Sequence, residues 1–101
     1  MILYHGSTQE RCENIIKLGH YEPGHKYNSN DESGLWCSDN IEMAKTYGEC
    51  VIEIEVNKND KRIQYYPIYP SVYDYYEEWM DYANEYCISI DVKFKAKMIW
   101  D

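Results

Sequence analysis

Apolar and polar residues alternate along two stretches of the chain, which is the spacing expected of strands with one buried face. In 50–56 the apolar residues Ile52, Ile54 and Val56 alternate with acidic ones, and in 92–99 apolar residues alternate with lysines. Shorter segments rich in apolar or aromatic residues and bounded by turn-forming residues predict further strands. These segments lie at 2–4, 34–37, 62–66 and 86–90.

A first helix is predicted directly after the first strand. Ser7 or Thr8 can cap its beginning, and Gly19 is a natural stop because glycine readily adopts the left-handed conformation that ends many helices. The apolar residues between these positions fall on one helical face. They are Cys12, Ile15, Ile16 and Leu18.

Two further helices are predicted later in the chain. One is capped by Ser38 or Asp39 and runs through Tyr47. The other runs from Ser71 to about Ala83, with apolar and aromatic residues along one side.

The order of these elements predicts an α+β fold. Several short strands with no alternating strand–helix–strand repeat favour a mixed or mostly antiparallel sheet. The polar residues 20–33 are rich in turn formers and are predicted to be a loop between the first helix and the second strand. A chain of 101 residues is expected to form one domain, residues 1–101.

The chain is strongly acidic, with a formal net charge of −8 and only two arginines, Arg11 and Arg62. Nucleic-acid binding depends on clustered cations, and the one basic run alternates with apolar residues along a predicted strand. This run is Lys93, Lys95 and Lys97. The composition therefore argues against nucleic acid as a partner and is compatible with a basic protein.

Cysteine and histidine spacing predicts no metal site. The four cysteines form no Cys-x-x-Cys pair, and the three histidines lack the spacing of zinc ligands. No apolar run approaches the length of a membrane-spanning helix, so no membrane association is expected. We expect reduced thiols in the cytoplasm, and two disulfides in a secreted protein are the alternative. The cysteines are Cys12, Cys37, Cys50 and Cys87.

The first patch with distinctive chemistry is His5-Gly6-Ser7, which follows an apolar strand and so lies where clefts form. A ring nitrogen of His5 can donate a hydrogen bond to a ribose hydroxyl. Because Gly6 has no side chain, its backbone N–H and C=O can approach a flat carboxamide closely. A turn glycine beside a structural histidine would give the same tripeptide.

The second patch joins a predicted strand to a predicted helix. Trp36 lies in Gly34-Leu35-Trp36, and Tyr47 follows eleven residues later near the helix end. Aromatic rings on either side of a short helix can sandwich a flat ligand. Ordinary core packing by both side chains is the alternative.

The third patch is Asn84-Glu85-Tyr86, at the entry of a predicted strand. A fixed carboxylate near a sugar stabilises the positive charge that develops when a glycosidic bond breaks. Its aromatic, strand-entry setting distinguishes Glu85 from the other acidic residues, most of which are expected on the surface.

In their order and intervals, the three patches resemble the His-Tyr-Glu branch of the ADP-ribosyltransferases, the diphtheria-toxin-like and poly(ADP-ribose) polymerase-like enzymes. The resemblance implies split mixed or antiparallel sheets with a few short helices around an NAD cleft, with NAD as co-substrate and no metal. It assigns catalysis to Glu85 and His5. It assigns NAD binding to His5, Gly6, Ser7, Trp36 and Tyr47.

The chain departs from the family pattern at three positions. Trp36 stands where a tyrosine is usual, and Ala44 stands where a serine often contacts the carboxamide. Ala83 occupies the position, two residues before Glu85, where arginine-specific relatives carry Glu or Gln. The last departure argues against an arginine acceptor.

The resemblance implies mono-ADP-ribosylation of a protein, as in compact phage and toxin effectors that act on a host or defence protein in the host cytosol. An RNA 2′-phosphotransferase would use the same fold, but the scarcity of cations argues against it. A non-enzymatic acidic module that blocks a basic partner on an inactivated transferase fold is the alternative from another class.

Tyrosines are concentrated just before the third patch. Residues 65–86 hold eight of the twelve tyrosines, which is more aromatic area than a small core needs. The segment from Tyr65 to Tyr82 is therefore predicted to include a surface that docks the target protein. The competing interpretation is that these side chains complete the core.

Overall fold

The computed structural model describes residues 1–22, 34–67 and 78–101. Within these ranges lie two α-helices, α1 (Gln9–Leu18) and α2 (Ile41–Lys45), and a single 3-10 turn, Glu78–Asp81. The strands of the same ranges are β1 (Ile2–Ser7), β2 (Leu35–Ser38), β3 (Cys50–Glu55), β4 (Ile63–Pro67), β5 (Asn84–Ile88) and β6 (Lys95–Trp100).

The strands form one six-stranded sheet in the order β4-β5-β2-β1-β3-β6, and neighbouring strands are antiparallel throughout. The predicted α+β class is therefore confirmed, and of the two sheet types predicted the observed one is antiparallel. At the centre, β1 and β2 share a single register pair, Tyr4 with Ser38. This junction divides the sheet into a β1 half (β1, β3, β6) and a β5 half (β2, β4, β5).

Helix α1 has the predicted caps. The Thr8 side chain accepts a hydrogen bond from the Arg11 N–H at 3.3 Å, and Gly19 ends the helix in the left-handed conformation with its N–H bonded to the Ile15 carbonyl at 2.9 Å. Cys12 and Ile15 are buried on its inner face. The helix packs against β1, β3 and β6, so it covers the β1 half.

The core consists mainly of aliphatic side chains from the sheet and α1. All four cysteines, which lie in the described ranges, are buried as reduced thiols. Burial raises the pKa of the Cys12 thiol to about 12, so this thiol is inert at neutral pH. The buried side chains of this hydrophobic core include Leu3, Cys12, Ile15, Tyr21, Ile52, Ile54 and Ile88.

Several predicted boundaries were wrong by a few residues. Strand β1 extends beyond residue 4 to Ser7, because pairing with β3 continues as far as Ser7 opposite Cys50. Strand β5 begins at Asn84, which pairs with Pro67, so Glu85 lies within the strand. Strand β6 begins only at Lys95. Local patterning does not reveal where a partner strand begins and ends.

The predicted second helix is shorter than expected. Asn40, rather than Ser38 or Asp39, is its N-cap and accepts a hydrogen bond from the Glu42 N–H at 2.9 Å. Helix α2 ends at Lys45, so Tyr47 lies beyond it.

The structure tests only part of the remaining predictions. Most of the predicted loop 20–33 and of the helix from Ser71 to Ala83 falls at 23–33 and 68–77, outside the described residues. Residues 78–81 form the 3-10 turn rather than part of an α-helix. No helix in the described ranges is both long enough and apolar enough to cross a membrane.

Candidate functional site

A cleft of about 310 Å³ lies where β1 meets β2 at the junction of the two halves. Its volume is at the lower end of the range for small-molecule pockets, about 300–1,000 Å³. Every residue that the sequence assigned to the site lines this cleft. These residues are His5, Gly6, Ser7, Trp36, Tyr47 and Glu85.

His5 connects the two halves of the sheet through its side chain. Its Nδ1 lies 2.7 Å from the backbone carbonyl oxygen of Trp36. Because a carbonyl oxygen only accepts hydrogen bonds, Nδ1 carries the proton and donates. The side chain of a β1 residue is therefore tied to the backbone of β2 beside the single register pair.

His5 is electrically neutral at physiological pH. Burial lowers the pKa of its imidazole, the bond to Trp36 acts in the opposite direction, and the Arg11 charge lowers the pKa further. With its proton on Nδ1, neutral His5 presents Nε2 to a ligand as an acceptor. The proton that the sequence-based expectation would have His5 donate to a ligand is therefore already bonded to the Trp36 carbonyl, and the remaining ring nitrogen, Nε2, is an acceptor.

Gly6 is required by packing and also lines the cleft. A Cβ atom on Gly6 would overlap the carbonyl group of Ala44, and one on Gly48 would overlap the backbone of Ser7. The end of α2 and the turn that follows it therefore rest directly on β1. The position of a Gly6 Cβ is 3.4 Å from Tyr47 Cβ, so this close approach brings Tyr47 to the cleft.

The two predicted stacking residues lie in different surroundings. Trp36 is half-buried on β2, and its ring centroid lies 4.9 Å from that of Tyr66 with the planes tilted by 53°. Tyr47 is 56% exposed. Ala44, the departure from the family pattern, is buried against Gly6 and is not among the residues that line the cleft.

Glu85 is half-buried on β5 between the two neighbouring strands, opposite Ser38 of β2 and Tyr66 of β4. The Tyr47 hydroxyl donates a hydrogen bond to Glu85 Oε1 at 3.2 Å. The proposed ring-stacking residue and the proposed catalytic carboxylate, distant in sequence, therefore touch in the cleft.

A polar clamp fixes the backbone immediately before Glu85. The two carboxylate oxygens of Asp39 accept hydrogen bonds from the Asn84 N–H at 2.7 Å and from Asn84 Nδ2 at 2.9 Å. The Asp39 N–H and the Ser38 hydroxyl both donate to the Asn84 carbonyl, at 3.2 and 2.9 Å. The Tyr65 hydroxyl donates to Asn84 Oδ1 at 2.8 Å. These bonds set the point at which β5 enters the sheet.

The sequence did not identify two functional candidates, Asp39 and Arg11. Asp39 was predicted only as one of two candidate caps of α2, with Ser38, and its position across the β2–β5 pairing is what reveals its contact with Asn84. Arg11 lines the cleft from α1, together with Ile15 one helical turn further on. The available signal was the position of Arg11 in the first turn after His5-Gly6-Ser7.

The tyrosine-rich segment is described only at its ends. Tyr65, Tyr66 and Tyr82 are 55%, 39% and 68% exposed, as a docking surface would be. The intervening tyrosines lie outside the described residues. They are Tyr69, Tyr73, Tyr75 and Tyr76.

Histidine, cysteine and carboxylate side chains in the described ranges form no group of three or more that could hold a metal ion. No protein family, curated protein or solved structure matches the chain. The functional argument therefore depends on the geometry of the cleft.

Proposed function

We propose that the protein is an NAD-dependent mono-ADP-ribosyltransferase that modifies a protein, with the split ADP-ribosyltransferase fold. One observation carries the proposal. The three patches, separated by up to some eighty residues of sequence, all line one cleft, in which the Tyr47 hydroxyl meets the Glu85 carboxylate. Residues packed only for stability have no reason to converge on an open cleft.

The division of the sheet supports the proposal. The strands form one continuous sheet, but its β1 and β5 halves are joined by a single register pair beside the cleft, an arrangement compatible with the split sheet that the family resemblance implies. His5 lies at this junction with its Nε2 available to accept a hydrogen bond from a ribose hydroxyl. Trp36 and Tyr47 supply aromatic faces for the nicotinamide ring.

Glu85 supplies the charge that the reaction needs. When the bond between the nicotinamide nitrogen and ribose C1′ breaks, its electron pair leaves with nicotinamide and the ribose becomes oxocarbenium-like. The Glu85 carboxylate stabilises that positive charge. A nucleophilic atom of the target protein then bonds to C1′, and its proton passes to Glu85 or to solvent.

The proposal extends to the setting of the reaction. An acidic surface with a net charge of −8 and four buried thiols suit a cytoplasmic effector that acts on a basic surface of a host or defence protein.

Labelled NAD incubated with the protein and a cell lysate tests the proposal. We expect one or a few labelled bands with the wild type and roughly a 100- to 1,000-fold loss of transfer in Glu85→Gln, which keeps the size of the side chain but removes its charge. Glu55→Gln, an exposed substitution on β3 outside the cleft, is the matched control and should label normally. Labelling by Glu85→Gln within a few-fold of wild type would contradict the assignment.

A second candidate is a non-enzymatic binding module, which the Trp36 and Ala44 departures favour. It predicts that the folded wild-type protein neither hydrolyses NAD nor transfers ADP-ribose from it, and still binds its partner. An NAD-hydrolysis assay without lysate separates the two functions.

A further inference from the structure

The two arginines of the chain have opposite surroundings. Arg62 donates to Asp60 at 2.8 and 3.0 Å and lies 3.6 Å from a carboxylate oxygen of Asp91. Its charge is thus compensated within the protein. Arg11 makes no ion pair with any carboxylate of the described residues, although the chain has 18 acidic residues.

Arg11 is also the single lysine or arginine among the described residues that line the cleft. It reaches the cleft from α1, beside His5 of β1. Within residues 1–22, 34–67 and 78–101, the one carboxylate that lines the same cleft is Glu85, which accepts the hydrogen bond from Tyr47. The cleft therefore has an acidic group on the β5 side and, on the α1 side, a cation that no carboxylate of the described residues pairs with.

The position of Arg11 in its helix is unfavourable for local stability. It is the third residue after the cap Thr8, where the partial positive charge of the helix N-terminus repels a cation. A Gln or Glu at this position would instead complete a capping box with Thr8. Neither an ion pair nor helix capping explains an arginine here, whereas an anionic ligand in the cleft does.

We propose that Arg11 binds a phosphate group of the ligand and so selects a nucleotide over the corresponding nucleoside. A guanidinium offers paired donors that match phosphate oxygens. The inference rests on the proposed function, in which the ligand is NAD and the phosphate belongs to its diphosphate. Arg11 then determines the preference for a phosphate-bearing ligand in a protein whose net charge is negative.

Calorimetric titration of NAD and of nicotinamide riboside tests the proposal. The Glu85→Gln background prevents turnover during the measurement. Adding Arg11→Gln should weaken NAD binding roughly 10- to 100-fold, the scale of a lost hydrogen bond to a charged group, and leave nicotinamide riboside binding unchanged. Adding Arg62→Gln, the matched control, should change neither affinity.

The salt dependence gives a second readout. NAD binding should weaken with added salt in the parent protein and much less so in the Arg11→Gln variant, because the screened charge pair is gone. Arg11→Gln should keep its thermal stability, since it gains the capping box. A loss of binding in that variant would therefore not reflect unfolding.

Three results would overturn the proposal: unchanged NAD affinity in Arg11→Gln, an equal loss for both ligands, or an equal loss in Arg62→Gln. If the parent protein of this series, the Glu85→Gln variant, binds no NAD, the proposed function fails. Titration with inorganic pyrophosphate then decides the role of Arg11. If pyrophosphate binds and Arg11→Gln abolishes that binding, the assignment of Arg11 to an anion site stands. If pyrophosphate does not bind, that assignment is rejected together with the proposed function.

Discussion

The two halves of the sheet are stabilised in different ways. In the β1 half, β3 buries Val51, Ile52 and Ile54 completely, and α1 covers the strands. In the β5 half, Leu35 and Ile88 also reach the core, but no residue of β4 is fully buried and the entry of β5 is fixed by polar bonds around Asn84. Apolar packing thus reaches every strand of the half that carries His5, whereas in the other half it reaches β4 only through one half-buried residue and hydrogen bonds orient the strand that carries Glu85.

The comparison distinguishes interactions that stabilise the folded sheet from interactions that orient a particular side chain. Apolar burial is strong but non-directional, so it holds strands together without setting a side chain precisely. Hydrogen bonds contribute less net free energy but depend on distance and angle. A carboxylate that must face a reacting sugar is better placed by the second kind of interaction.

Truncation of one core side chain in each half should give the largest difference. Ile52→Ala removes a fully buried side chain from β3, at a cost of about 2–5 kcal/mol in the free energy of unfolding. Ile63→Ala acts on a half-buried residue of β4 and should cost less than about 2 kcal/mol. Chemical denaturation measures both. Equal losses would show that the two halves share one equally dense core.

Ligand affinity should depend on the side chains that line the cleft beside β1. His5→Ala and Tyr47→Ala should each weaken NAD binding by about 1–3 kcal/mol, the scale of a lost polar contact or a lost base stack. Calorimetry with the folded variants decides. Unchanged affinity in both variants would place the NAD site elsewhere.

The polar clamp should affect alignment more than stability. Asp39→Ala removes two hydrogen bonds to Asn84, each worth about 0.5–1.5 kcal/mol net, and Asp39 is solvent-exposed, so the loss of stability should be near the lower end. Because Glu85 follows Asn84 directly, we expect kcat to fall with KM for NAD nearly unchanged. A loss of stability of this size with no change in kcat would show that the polar clamp has a purely structural role.

The pH dependence of stability should be the smallest effect. Folding lowers the pKa of His5 below its ordinary value of 6.5, so below pH 6.5 the unfolded chain takes up this proton more readily than the folded one. The contribution of neutral His5 is fully present above pH 6.5 and is lost as the pH falls toward the folded-state pKa.

Unfolding measured from pH 8 to pH 5 should reveal this contribution. His5→Gln should flatten the slope below pH 6.5. His20→Gln is the control, because His20 also bonds a backbone carbonyl, that of Leu18 at 3.1 Å, but lies outside the cleft. A slope that His5→Gln leaves intact would mean that another group is responsible.

Local sequence determined the elements whose signals are local. Thr8 and Gly19 mark the ends of α1 because capping needs only neighbouring backbone groups. The alternation in 50–56 predicted β3 because one face of a strand must be apolar to be buried. The three chemical patches were recognisable because residue types suited to a ligand stood together.

How these parts meet depends on contacts between residues far apart in the chain. Neither the pairing of Tyr4 with Ser38 nor the bond from His5 to the Trp36 carbonyl can be inferred from local patterning, because register depends on the partner strand. The same holds for the contact of Asp39 with Asn84. The tautomer of His5 is likewise set by a carbonyl from another strand, which places its proton on Nδ1, and burial keeps the ring neutral by lowering its pKa. The residue types of the candidate site were thus recognisable in short segments of the sequence. The distances and orientations of these residues depend on non-local hydrogen bonds between the segments.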